Sequence, residues 1–480
     1  MNKSETVTSK TVRTSLWGTI EKISSMGIQF VISMVLARFL SPSDYGTIAM
    51  LMVFLAISSQ FVTCGFGNAL IRNNECKSID FSTAFYFNIV VSIVCYVLLF
   101  LAAPFVAKFY EMDILCPVMR VCSLTIPLGA LTIVQDAILQ RNLEAKKIAY
   151  ITTATTLLAG VIAIVLAHRG WGVWALVAHQ IMSSLLRVCF LWVRSAWYPK
   201  WEYSKKSMKY LWNFGSKMLL TGIISSTYAN IYSILIGKYY DSKALGLFNR
   251  GQTTAILLPN VLEGVFVRNS LPIMAQLQND RERMIHVYSE FVKLACYLNF
   301  PIVFLVSILA HPFVDFVLTA KWLGCVIYIQ IFSINALLSP ANSVNLNLLQ
   351  ALGRSDYTLK AEIIKKSLGF ILAFLLLPLG PLYLAIGSSS FGIVAYSVNL
   401  YYAKKLSGLS YRSQLMPMLP ILFSCIGMSV CVILSICFIE SSLLKLIVGG
   451  IVGVGSYFVL TYYVFNLTTA KKIIKLKQPS

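Results

Sequence analysis

Apolar residues run through this chain in blocks of about twenty, separated by short polar stretches. Within a block they fall on every side of a helix, as they do in segments surrounded by lipid. Fourteen helices are predicted. Six lie near residues 16–40, 45–68, 82–107, 117–140, 147–168 and 171–195, and six more near 210–236, 247–275, 285–311, 325–351, 360–378 and 380–403. Two further blocks, near 418–440 and 443–465, close the chain. About twenty residues at ~1.5 Å rise cross the hydrocarbon core of a bilayer. No block shows the period-two alternation of a barrel strand. The expected class is therefore an all-α integral membrane protein with about 14 transmembrane helices.

The composition agrees: 57% of the 480 residues are hydrophobic and 12% are charged. In a soluble protein the net charge of +21 would suggest nucleic acid, but here its placement explains it. With a cytoplasmic N-terminus, the internal loops and termini hold 27 Lys and Arg against 7 in the external loops. That asymmetry is a positive-inside signal placing both termini in the cytoplasm, with no nucleic-acid partner expected. Residues 16–40 exceed a signal-peptide core and are expected to be retained as the first span.

The second half repeats the first. Arg38-Phe39-Leu40-Ser41 runs on to Tyr45-Gly46, and Lys238-Tyr239-Tyr240-Asp241 runs on to Leu245-Gly246. Pro104-Phe105-Val106 answers Pro312-Phe313-Val314, and Gln135 and Gln140 answer Asn345 and Gln350. An even number of helices per copy makes the copies parallel repeats about an axis along the membrane normal, suited to alternating access around a central cavity. The predicted organisation is a six-helix lobe with connector at 1–209, a second six-helix lobe at 210–410, and two extra helices with a basic tail at 411–480.

Charges inside the blocks are the candidate chemistry, because a charge in hydrocarbon is costly and usually faces a wet cavity. Trp17 precedes Lys22 by five residues, as Trp212 precedes Lys217. Such lysines either snorkel to the interface or bind an anion, and the matched placement favours the second. Arg187, Lys293 and Arg268 are further cationic candidates. Glu21, Asp136 and Glu263 are the acidic residues within spans, candidates for coupling to a proton or sodium ion. Asn335, Ser339 and Asn342 form a polar stripe at helical spacing on the tenth helix, with Asn345 and Gln350 farther on, and the fourth helix offers Thr132, Gln135, Asp136 and Gln140 in the corresponding place. These amides either bond to neighbouring helices or line a cavity for a glycan.

No phosphate-cradling G-x-x-x-x-G-K-[ST] loop, nucleophile elbow or metal-ligand spacing occurs among the four histidines and eleven cysteines. No cofactor is expected, and transport rather than chemistry on the substrate is what the sequence supports.

Four segments carry a family resemblance: Ala37-Arg38-Phe39-Leu40-Ser41-Pro42-Ser43-Asp44-Tyr45-Gly46, Gly65-Phe66-Gly67-Asn68-Ala69-Leu70-Ile71, Asp80-Phe81-Ser82-Thr83-Ala84-Phe85, and Ala103-Pro104-Phe105-Val106-Ala107-Lys108-Phe109-Tyr110. The chain resembles the multidrug/oligosaccharidyl-lipid/polysaccharide exporter superfamily, and within it the Wzx-type polysaccharide-repeat flippases of the colanic-acid-exporter branch. The resemblance implies a protein of the bacterial inner membrane, without enzymatic activity. It implies movement of an undecaprenyl-pyrophosphate-linked oligosaccharide from the cytoplasmic to the periplasmic leaflet, with the cations binding the pyrophosphate. An ion-coupled multidrug antiporter of the same superfamily is the alternative, and a membrane-embedded glycan polymerase or transferase a more distant one.

Overall fold

The computed structural model describes residues 24–72, 76–193, 195, 197–408 and 410–464. Among these, every regular element is helical. In chain order the first six long helices are α1 (Ser24–Phe39), α2 (Pro42–Ile71), α3 (Ser78–Tyr110), α4 (Leu115–Arg141), α5 (Ala145–His168) and α6 (Val173–Val193). They are followed by α7 (Lys205–Tyr239), α8 (Ser242–Gln276), α9 (Arg281–Ile308) and α10 (Ala320–Ala351). The chain continues with α11 (Ser355–Leu376), α12 (Pro381–Leu406), α13 (Met416–Ile436) and α14 (Ser442–Tyr463).

Eleven of these are long and apolar enough to cross a membrane, fewer than the fourteen expected. Helix α1 is shorter within the described residues. Helices α8 and α11 lack a sufficiently apolar window: α8 carries Arg250, Glu263 and Arg268, and α11 carries Lys360, Glu362, Lys365 and Lys366. Elsewhere the outward faces are as apolar as the core. Val90, Leu98 and Leu101 on α3, and Ile451 and Val454 on α14, are more than half exposed. That suits contact with acyl chains and would be untenable in water.

By contact the chain divides into two compact units, residues 1–246 and 247–480. The first takes in α7, which packs along α2, α3 and the 66–72 segment. Its core joins Phe66, Leu70, Phe85, Val134 and Leu211. Helix α2 breaks at Cys64 and Gly65, both with positive φ, and Gly215 of α7 fills the space left at the break. A Cβ on Gly215 would lie 2.3 Å from the Cys64 carbonyl oxygen. In the second unit α9 is the central element, with Tyr288, Cys296 and Phe300 packed against Val344 and Leu348 of α10 and Cys425 and Met428 of α13.

The duplication is visible in backbone detail. Ser41 caps α2 by accepting from the Asp44 N–H at 3.2 Å, and Asp241 caps α8 by accepting from the Ala244 N–H at 2.6 Å. After α4 the Glu144 N–H donates to the Leu139 carbonyl at 2.9 Å, and after α10 the Arg354 N–H donates to the Leu349 carbonyl at 3.1 Å. The turn residues inside these loops, Leu143 (φ 58°) and Gly353 (φ 70°), both have positive φ, as do Gly170 (φ 82°) and Gly380 (φ 114°). Backbone torsions recur at the spacing of the sequence repeat because the same helix ends need the same caps.

Where the start of α2 meets the start of α8, the contact is reciprocal. A Cβ on Gly46 would lie 1.7 Å from the Ser242 carbonyl oxygen, and one on Gly246 would lie 1.9 Å from that of Pro42. The Ser43 and Ser242 hydroxyls are 2.6 Å apart. Such reciprocity is expected where one copy of a duplicated segment touches the other, and only glycine allows backbones this close. Gly46→Ala is therefore expected to destabilise the protein by about 1–3 kcal/mol, read as a lower melting temperature in detergent. Gly450→Ala, where a Cβ meets open space, is expected to leave the melting temperature unchanged or slightly raised.

Candidate polar cavity and ion pair

Two helices of the first unit carry polar residues every fourth position. On α4 these are Thr132, Asp136 and Gln140, and on α6 they are His179, Ser183 and Arg187. That spacing puts each set on one helix face, and α4 packs against α6. With α2 they enclose a cavity of about 630 Å³, lined by Ser59, Thr63, Thr132, Asp136, His179 and Gln180 among others. A second cavity of about 360 Å³ is lined by Gln60, Asn68, Asp136, Gln140, Met218 and Leu219 among others. The two share Thr63, Ile133 and Asp136. Both volumes fall in the range of small-molecule sites.

At the junction stands an ion pair. Arg187 Nη2 donates to both Asp136 oxygens, at 2.9 and 3.0 Å, and Nη1 donates to Thr152 Oγ1 of α5 at 3.2 Å. The two side chains are 29% and 21% exposed. An isolated guanidinium or carboxylate at this depth would be strongly unfavourable, and the partner removes most of that cost. Part of the guanidinium's N–H capacity has no protein partner among the described residues. His179 Nε2, on the same face of α6, is buried with no hydrogen-bond partner among the described residues.

Residues 35–327 match the family model for polysaccharide biosynthesis proteins. The chain belongs to that family. Related family proteins include the lipopolysaccharide biosynthesis protein WzxC of Escherichia coli (strain K12), 24% identical over 74% of this chain and 73% of that protein. The succinoglycan biosynthesis transport protein ExoT of Rhizobium meliloti (strain 1021) is 24% identical over 66% and 64%. The teichuronic acid biosynthesis protein TuaB of Bacillus subtilis (strain 168) is 24% identical over 61% of each chain. The fold is that of the lipid II flippase MurJ in its inward closed conformation, at TM-score 0.75 and 14% identity over 95% of this chain and 99% of that one. An inward-facing multidrug transporter of the MATE family, in the MOP superfamily, is similar at TM-score 0.64 and 14% identity over 81% and 98%. This chain is thus a multi-pass membrane member of the polysaccharide biosynthesis family with the fold seen in these two structures.

The site residues expected from the sequence are distributed unevenly over this family fold. Asp136 and Arg187 come together. Lys22 and Glu21 lie outside the described residues. Lys217 is exposed on α7, next to Met218 and Leu219 of the smaller cavity. Gln135 points away from both large cavities: its Nε2 donates to the Trp197 carbonyl at 3.1 Å, and its Oε1 accepts from Ser195 Oγ at 2.8 Å. It fastens the connector after α6, which Trp201 also anchors by stacking on Tyr86.

In the second unit, Asn342 Oδ1 accepts from Asn399 Nδ2 at 2.6 Å, and Asn345 Oδ1 accepts from the Tyr288 hydroxyl. These amides tie α10 to α12 and α9. Asn335 packs on Gly392, where a Cβ would lie 2.1 Å from its Oδ1. Glu263 accepts from Ser343 Oγ, Lys293 pairs with Glu290 at 3.2 Å, and Arg268 is exposed. Sequence reasoning missed His179, Ser183 and Gln180; their spacing from Arg187 along α6 was the available signal. Outside the spans, burial and Asp80 push the Cys76 thiol up against the opposing effect of Arg141, which leaves it a poor nucleophile.

Replacing Asp136 with Ala strands the Arg187 charge and is expected to cost on the order of 3 kcal/mol. The double variant Asp136→Ala/Arg187→Ala should cost less than the two single changes together, by about 1–3 kcal/mol. Denaturation of the four proteins in detergent measures this; strict additivity would show that the pair is not coupled.

Proposed function

We propose that this family member is a flippase. Its substrate in this reading is an undecaprenyl-diphosphate-linked oligosaccharide, moved from the cytoplasmic to the outer leaflet of a bacterial inner membrane. The observation that carries the reading is a pair of cavities that share Asp136, whose carboxylate holds the Arg187 guanidinium within a membrane-embedded bundle. The names of the relatives, two concerned with envelope polysaccharides and one with polysaccharide transport, support it.

The physical task fits the site. A diphosphate diester carries two negative charges that hydrocarbon rejects, and cations along the path lower that barrier. Arg187, with Lys22 and Lys217 nearer the cytoplasmic mouth, would supply them. Glycan hydroxyls would find Gln60, Asn68, Gln140 and Gln180, since Asn342 and Asn345 serve helix packing. The prenyl tail stays in lipid. A coupling proton or sodium ion would act through Asp136, Glu263 or Glu21.

In this reading alternating access requires the Ser43–Ser242 contact at the starts of α2 and α8 to part. Two outcomes follow in proteoliposomes. Lys217→Ala and Lys22→Ala should each slow glycan-lipid movement, and the double variant should slow it by about tenfold or more, with membrane insertion unchanged. A Ser43→Cys/Ser242→Cys variant should lose movement on oxidation and regain it on reduction. Movement at wild-type rate from the double lysine variant would remove those lysines from the path, and movement by the oxidised cysteine pair would refute opening at this crossing.

A further inference from the structure

We propose that the Asp136–Arg187 pair is a proton-linked oxyanion site: a phosphate or diphosphate oxygen takes the guanidinium as Asp136 takes up a proton. The inference rests on the flippase reading for its biological ligand, but the chemistry stands on the geometry.

Three observations lead to it. First, Asp136 lines both cavities, so its carboxylate is reachable by a solute and by protons. Second, Arg187 spends one terminal nitrogen on both carboxylate oxygens and the other on Thr152. An oxyanion entering the junction therefore competes with Asp136 for the same N–H fork. Third, the competition is one of charge. While Asp136 is ionised the pair is neutral, and an incoming anion meets a carboxylate beside the arginine. Once Asp136 is protonated the local charge is +1, and a carboxylic acid is a weaker acceptor than phosphate.

The surroundings leave this exchange to few groups. Of the residues lining the two cavities, Asp136 and His179 are the titratable ones. Arg187 of α6 is in neither lining and stands behind Asp136, which it bonds, and α5 contributes uncharged Thr152. Helix α2 contributes Gln60 and Thr63, and α7 contributes Met218 and Leu219 with Lys217 exposed beside them. Helix α3, also packed on α4, places no residue in either lining.

The proton balance is one taken up by the Asp136 carboxylate for each oxyanion bound, and one released when the anion leaves. Reciprocity requires each ligand to raise the other's affinity by the same factor, which for a coupled pair of sites is roughly 5–150-fold. The sign is fixed: oxyanion affinity is high where Asp136 is protonated and falls as pH rises through its titration.

The test uses the full chain in nanodiscs and a short-chain prenyl diphosphate sugar, whose diester phosphates stay ionised from pH 5 to pH 9. Affinity should rise about fivefold or more from pH 9 to pH 5. Proton uptake of about one per ligand should appear in weakly buffered solution containing a pH indicator. Asp136→Asn should bind with a pH-independent affinity near the highest that the wild type reaches on acidification, and Arg187→Gln should bind weakly at every pH. Phosphatidylglycerol in the nanodisc should compete if the site takes lipid phosphates in general, and should not if it needs the diphosphate. Wild-type affinity that is equal at both pH values, with no proton uptake, overturns the proposal, whatever the folding of the variants. A pH dependence retained by Asp136→Asn overturns it too. Proton-linked binding without glycan-lipid movement in proteoliposomes would instead remove the flippase reading and leave the site.

Discussion

A charge carried into hydrocarbon must find a partner, and in the first unit one such partnership organises the space around it. Arg187 on α6 and Asp136 on α4 neutralise each other at 2.9 Å, and the pairing lets both helices keep polar faces without facing lipid. Between those faces lies the larger cavity, and Asp136, with Thr63 and Ile133, also lines the smaller one formed by α2, α4 and α7. Without the pair, α4 and α6 would each present an uncompensated charge at bilayer depth, and neither face could be held open for a solute.

The second unit uses the same kind of helices differently. Its amides close on one another, Asn342 with Asn399 and Asn345 with Tyr288. Asn299 donates to the carbonyls of Ala336 and Leu337 at 2.8 and 2.7 Å, where α10 is interrupted. A duplicated framework with matched caps and turns has thus given one copy a polar hollow and the other a polar lock. The repeat fixes where helices start, turn and cross; the side chains between those points are free to diverge.

Much of this was legible in the sequence, for identifiable reasons. The length and apolarity of the blocks specify membrane helices directly. Helix caps such as Ser41 and Asp241 recur because backbone needs are local, so the duplication could be read from short matches. Hydropathy overstated the apolar character of α8 and α11, because their polar residues sit within stretches that look continuous at a coarse scale. The site was only half readable. Asp136 and Arg187 could each be picked out as a charge in a span, but not as partners, because 51 residues separate them and the contact depends on how α4 packs on α6. Gln135 and the α10 amides looked alike on paper. Their roles as clasps follow from Trp197, Ser195, Asn399 and Tyr288, which no spacing rule connects to them.

The central claim is that this polysaccharide biosynthesis family member moves a lipid-linked glycan across the bilayer. The most direct measurement reconstitutes the wild-type protein in liposomes holding a polyprenyl-diphosphate oligosaccharide in the inner leaflet, and follows glycosidase cleavage from outside. The account predicts that protein raises the cleavable fraction with time well above that of empty liposomes. A cleavable fraction equal to that of empty liposomes, with cationic dye moving under an ion gradient in the same vesicles, would contradict it.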